Sequence, residues 1–186
     1  FPTRRSSDLF ALERLKLLLP ELAGEVEALV RQVILVIGDS SLGYDFAGGS
    51  CYMLWGALFI NADSHPDELL MMEAIAHESA HSLLFGFTID EPLVLNDADE
   101  RFTSPLRDDP RPMDGIYHAT FVCARMYWAM RQLSSCFVSD GALAAKALAR
   151  ADLHARSFHS GMTLIREHGL LSSTGRSLID SAEIYM

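Results

Sequence analysis

The residues His77-Glu78-Ser79-Ala80-His81 lie inside an apolar run from Leu69 to Phe85. On a helix, positions four apart differ by about 40° in azimuth and about 6 Å in rise, so both imidazoles can reach one ion from the same face. Glu78 stands about 100° round from His77, close enough to act beside an ion without ligating it, which is the role of this glutamate in zinc metalloproteases. The spacing alone recurs in unrelated proteins, where two core histidines hydrogen-bond to backbone or carboxylate. A helix with almost no polar face favours metal binding instead, because buried imidazoles need partners.

The flanks predict where that helix begins and ends. Ser64-His65-Pro66-Asp67 reads as a start, with Ser64 capping, Pro66 in the first turn, and Asp67 and Glu68 at the positive end of the dipole. Gly86 reads as a stop. Between them Leu69, Leu70, Met71, Met72, Ala74, Ile75, Ala76, Ala80, Leu83 and Leu84 leave little to face water, so the helix is expected inside the domain.

With 186 residues, 49% of them apolar, the chain has enough material for one domain with a sizeable core. Its formal charge of −10 and lack of a basic run exclude a nucleic-acid surface and favour neutral or basic substrates. Apolar stretches such as Val33 to Ile37 are too short to span a bilayer, so no membrane partner is expected. Cys51, Cys123 and Cys136 are odd in number and widely spaced. They predict packing residues in a reducing cytoplasm rather than a disulfide framework or a thiolate zinc site.

Phe1 to Leu9 resembles a translated sequencing-adapter peptide and is set aside from the fold, leaving 10–186 as a single catalytic domain, expected to be a fragment of a longer chain. Leu9 to Leu19 and Glu21 to Arg31 carry helical periodicity on either side of Pro20. Gln32 to Ile37 reads equally as a strand or a buried helix end, and Ser40 to Ser50 as a glycine-rich connection. Cys51 to Ile60 reads as a strand interrupted at Gly56, and Phe87 to Leu95 as an edge strand or extended segment. Asn96 to Asp114 is a long polar loop. A second long helix is predicted from Gly115 to about Ser134, capped by Asp114, then an alanine-rich helix over Ser139 to His168 broken near Ser160-Gly161, then a last helix from Ser172. The fold class expected is α+β, mostly helical, with the buried HExxH helix packed on a small sheet and a second long helix.

Two histidines need a third ligand. The protease subclass that continues as His-x-x-Gly-x-x-His is absent, because residues 81 to 87 read His-Ser-Leu-Leu-Phe-Gly-Phe. A glutamate from the next long helix is absent too; that helix carries His118, and Glu91 is a carboxylate alternative. A site of His77, His81 and His118 suits zinc or iron(II) equally. Arg107, Arg111 and Arg125 flank the third ligand; a planar guanidinium is the best anchor for the distal carboxylate of 2-oxoglutarate, and ion pairing with Asp108, Asp109 or Asp114 is the equal alternative for any one of them. Arg125, seven residues beyond His118, is expected on the same helix face two turns deeper.

The succession His77-Glu78-Ser79-Ala80-His81, Glu91-Pro92-Leu93, Ser104-Pro105-Leu106-Arg107, Arg111-Pro112 and Gly115-Ile116-Tyr117-His118 resembles the HEXXH motif-containing peptide-modification proteins. These are the 2-oxoglutarate-dependent HExxH-type peptide β-hydroxylases associated with ribosomally made, modified peptides (RiPP biosynthesis). The resemblance covers about residues 50 to 135. It implies a dioxygenase, an oxidoreductase that uses Fe(II), 2-oxoglutarate and O₂ to hydroxylate a β-carbon of a peptide side chain. His77, His81 and His118 then look like the metal ligands, Glu78 becomes catalytic or supporting, and Arg107, Arg111 or Arg125 holds the co-substrate. Ordinary iron triads use two histidines and one carboxylate, so ligation by Glu78 or Glu91 would displace His118 from the set. A zincin-like zinc metallopeptidase and a metal-free peptide-binding module stand as the alternatives.

Overall fold

The computed structural model describes residues 4–37, 46–104 and 109–186, with side chains described from Phe10 onward. Among these residues the protein is 64% helical with six helices and one small three-stranded sheet, the mostly helical α+β architecture expected. Helices α1 (Arg4–Leu18) and α2 (Pro20–Leu29) come first, then strands β1 (Gln32–Val36), β2 (Gly48–Ser50) and β3 (Ala57–Asn61). Helices α3 (Glu68–Phe87), α4 (Met113–Cys136), α5 (Gly141–His168) and α6 (Ser173–Glu183) complete the chain.

The sheet order is β1-β3-β2. β1 runs parallel to β3, Gln32 opposite Ala57 and Val36 opposite Asn61, while β2 is antiparallel to β3, Gly48 opposite Ile60 and Ser50 opposite Leu58. Leu58 and Ile60 alternate inward from β3, as a strand with one covered face requires. The ambiguous Gln32 to Ile37 stretch is thus a strand. The stretch predicted as one strand from Cys51 divides instead: Tyr52–Leu54 forms a 3-10 turn, Gly56 turns the chain at φ +96, and only then does β3 begin. β2 emerges from the segment expected to be a plain connection.

Helix α3 is buried along most of its length, as its composition predicts. Its cap is Asp67 rather than Ser64: the Asp67 side chain accepts from the Leu70 backbone N–H at 3.1 Å, a bond worth about 1 kcal/mol. Ser64 sits in the turn that closes on Asn61. Gly86 is not the stop either; the helix runs on to Phe87, and Gly86 lies under Trp55, whose ring would stand 3.4 Å from an added Cβ. Likewise α4 starts at Met113 with Pro112 in the cap position, so Asp114 occupies its first turn instead of capping it.

Two apolar clusters flank the middle of the bundle. One joins α1, α2, β3 through Ile60, the first half of α3, the second half of α4 and the first half of α5; the other joins the second half of α3, the first half of α4, the second half of α5 and α6. Hence α4 runs antiparallel to α3, and the start of α4 lies beside the last turns of α3. The predicted break at Ser160-Gly161 does not occur, and α5 is continuous. Gly161 serves close packing: an added Cβ would stand 2.0 Å from Thr120 Oγ1 on α4. Phe87 to Leu95 forms no strand, only a bridge between Val94 and Leu171. Of the cysteines, Cys123 is buried, whereas Cys51 and Cys136 are exposed rather than packed; all three are free. Among the described residues no helix is long and apolar enough to cross a membrane.

Candidate metal centre

The antiparallel crossing of α3 and α4 brings His118 to the motif. The ring centroids of His77 and His81 are 5.1 Å apart, those of His81 and His118 are 5.5 Å apart, and the latter pair is nearly parallel at 18°. The Nδ1 atoms of His81 and His118 lie 3.3 Å apart. As a hydrogen bond this contact needs one Nδ1 protonated and the other bare. The same separation is about the N···N edge of two imidazoles on one tetrahedral ion at about 2.0–2.1 Å. Among the described residues, no three His, Cys, Asp or Glu side chains stand closed at ligand spacing. The pair from α3 and α4 meets the spacing, and His77 flanks it as the next ring along α3.

Electrostatics suit the donors to a cation. Burial, reinforced by the neighbouring His77 and His118, pushes the His81 pKa down to about 3, so its imidazole is neutral and carries a lone pair throughout the physiological range. Burial also lowers His118, against the opposing pull of Asp114, whose Oδ1 lies 3.9 Å from its Nε2. Neutral imidazole is the ligating form. Phe85 stands 6.1 Å from the His118 ring and closes the apolar side.

Glu78 belongs to the same site from the sheet side. It is buried, and it accepts a hydrogen bond from Ser50 Oγ at 3.0 Å. Burial raises its pKa to about 7, with the Ser50 bond pulling the other way, so the carboxyl sits poised to hold or release a proton near neutrality. Its Oε1 is 3.9 Å from His77 Nε2. Strand β2 makes room for it: a Cβ at Gly48 would stand 2.7 Å from that oxygen.

These side chains line a cleft of about 1220 Å³. That exceeds the roughly 300–1,000 Å³ of small-molecule pockets and leaves space for a chain segment beside a small co-substrate. Of the arginines named from sequence, Arg111 lines the cleft. Its Nε lies 2.9 Å from Asp109 Oδ2 in an ion pair, and among the described residues that buried nitrogen has no aligned hydrogen-bond acceptor. Arg107 lies outside the described residues. Arg125 does not share the cleft: it pairs with Glu25 on α2, stacks on Trp128 at 5.8 Å, and lines a separate pocket of about 200 Å³. Equal azimuth on α4 did not carry it to the same site, because two turns deeper the neighbour across the helix is α2. Glu91 is also elsewhere: its Oε1 accepts from the Thr174 backbone N–H at 3.0 Å and from Ser173 Oγ at 3.2 Å, at the start of α6.

The cleft holds groups that reading the sequence missed. Ser50 is one. The others are Glu73, one turn before His77 on α3, and Arg150 and His154, one turn apart on α5. A signal for Glu73 existed: a carboxylate within an otherwise apolar helical run must find a hydrogen-bonding or charged partner, or lose its charge. No family model matches the chain, and no curated protein is similar to it.

Proposed function

We propose that the protein is an iron(II)- and 2-oxoglutarate-dependent hydroxylase that acts on a peptide side chain in the cytoplasm. The observation that carries the reading is the gathering of His81 and His118, from separate helices, with Nδ1 atoms 3.3 Å apart beside His77 and a buried Glu78. His77, His81 and His118 would hold the ion. Bound iron(II) would supply the activation of O₂ that splits 2-oxoglutarate to succinate and CO₂ and places the second oxygen atom on the substrate carbon.

The chain's own groups account for the rest. Neutral imidazoles present lone pairs without needing to shed protons. Ser50 fixes the Glu78 carboxyl on the sheet side of the cleft, where it can hold or pass a proton. Arg111 lines the cleft, and its ion-pair partner Asp109 is exposed enough to be exchanged for a substrate carboxylate. The volume of the cleft favours a peptide over a small molecule alone, and the three free cysteines fit a reducing compartment.

A second reading, a zinc peptidase, draws on Glu78 beside two HExxH histidines, the arrangement a protease uses for general-base catalysis. Anaerobic reconstitution with iron(II) separates the two. Succinate release from 2-oxoglutarate and the gain of one oxygen atom by a peptide support the hydroxylase. Cleavage of a peptide by the zinc-loaded protein, with no succinate from the iron form, refutes it.

A further inference from the structure

Arg150 stands on the wall of the cleft formed by α5, held in a fork. Its Nε donates to Glu73 Oε2 at 2.8 Å and its Nη2 to Glu73 Oε1 at 2.8 Å. His154, one turn along α5, donates Nε2–H to the same Oε1. Glu73 is 4% exposed, while the Arg150 side chain is 36% exposed and lines the cleft. The fork consumes two of the five guanidinium N–H groups, leaving three. The carboxylate beneath is saturated by its two partners, so the arginine is oriented by a buried anchor and a neighbouring helix rather than by solvent.

The distance to the histidines follows from the helix. Glu73 and His77 are one turn apart on α3, about 6 Å along the axis and about 40° in azimuth. A guanidinium clamped to Glu73 is therefore spaced from the imidazoles by roughly one turn, about the separation between the keto-acid end and the far carboxylate of a five-carbon 2-oxo diacid. Arg111 differs in kind: it lies before α4, and its partner Asp109 is 61% exposed. A group locked on a helix by a buried partner is the better-defined anchor.

We propose that Arg150 is the residue of this cleft that receives the distal carboxylate of the 2-oxo diacid co-substrate, with Glu73 and His154 as positioning residues that aim it. This rests on the hydroxylase reading. Glu73 does not compete for the incoming carboxylate, because its own oxygens are already engaged by Arg150 and His154. The assignment also adds a requirement absent from a purely structural α3–α5 ion pair: the pair should discriminate between ligands that differ only at the far end.

The test is calorimetric binding of 2-oxoglutarate and of 2-oxobutyrate, which keeps the keto-acid end and lacks the distal carboxylate, to the full chain loaded with iron(II) without oxygen. A charge-assisted fork predicts a preference for the diacid of about 10- to 100-fold. Arg150→Gln should reduce that preference to about twofold and leave 2-oxobutyrate affinity unchanged. Since that variant strands Glu73, the double variant Glu73→Gln/Arg150→Gln, which removes both charges, should show the same loss with native circular dichroism. Glu73→Gln alone, which keeps one oxygen to accept from Arg150 but loses the charged fork, should leave 2-oxobutyrate affinity unchanged and lower the diacid preference to a value between those of the wild type and Arg150→Gln; an unchanged preference would remove Glu73 from the positioning role. A preference that survives in the double variant, or that disappears in Arg111→Gln instead, overturns Arg150 as the anchor and leaves the hydroxylase reading standing. Failure of the wild-type protein to bind either keto acid overturns the proposal together with the reading beneath it.

Discussion

At the scale of single residues, the candidate site depends on imidazoles from two helices, with burial lowering the pKa of His81 and His118. His81→Ala and His77→Ala should each abolish tight loading of iron(II) or zinc, and His118→Ala should weaken it by more than the roughly 10–100-fold that loss of a supporting partner costs. Competition against a chelator of known affinity measures this, and full occupancy in the His118 variant would remove it from the ligand set. Gly48→Ala probes the other side. The new methyl would stand 2.7 Å from Glu78 Oε1 and 3.3 Å from the Phe59 carbonyl oxygen, so the flexible carboxyl must swing away. The expected result is metal affinity near wild type with turnover reduced at least about tenfold, a barrier change of about 1.4 kcal/mol, read as succinate formed per protein.

At the scale of elements, helix–helix junctions carry most of the discriminating detail. Gly161→Ala should destabilise the protein by about 1–3 kcal/mol or more in urea unfolding, because its methyl meets Thr120 Oγ1 at 2.0 Å on α4. Thr120→Ala should recover part of that loss; a fully additive double variant would refute direct contact. The α3–α5 junction sets an acid limit. Burial opposes ionisation of Glu73, but hydrogen bonds and charge from His154 and Arg150 outweigh it and hold the carboxyl below its ordinary value of 4.5. A lowered folded pKa stabilises fully above about pH 4.5 and is lost as pH falls through the folded value. Glu73→Gln/Arg150→Gln should therefore lose stability less steeply than wild type below pH 4.5, measured by urea midpoints across that range. A parallel pair of curves would contradict the shift.

These junctions also explain what could be read in advance. Helix α3 was legible because an unbroken apolar run around two histidines four apart admits few other structures, and His118 because it is the only histidine on the next long helix. The caps were not, since Ser64 and Asp67 both satisfy the same local chemistry and only the turn closing on Asn61 decides between them. Gly161 reads locally as a helix breaker; its reason, the hydroxyl of Thr120 some forty positions earlier, is tertiary. Arg150 was illegible for the same reason, its partner Glu73 being 77 residues away. Arg125 was misplaced because periodicity reports a face of a helix and not which neighbour covers that face at each turn.

At the scale of the whole molecule, ligand binding to the native state must appear as stability. Loading iron(II) or zinc at about 100 times its dissociation constant should stabilise the protein by about 2.7 kcal/mol, and a domain of this size responds with a rise in melting temperature of about 5–10 °C. Scanning calorimetry with and without chelator measures it, and a triple alanine variant at His77, His81 and His118 should show no rise. Unchanged melting of the wild-type protein on loading would exclude a site shared between helices.

The near-parallel rings of His81 and His118 belong to different helices, and the start of α4 is secured behind them, where buried Tyr117 donates its hydroxyl to the Gly175 carbonyl of α6 at 2.7 Å. Register between α3 and α4 is thereby tied to α6 at the C-terminal end of the chain. A slide of α4 by one residue, about 1.5 Å, would both part the imidazoles and strain that tether. If the cleft takes a metal, amide exchange in the first turns of α4 should slow on loading and quicken in Tyr117→Phe, and a tyrosine outside the cleft would tune how firmly an ion is gripped.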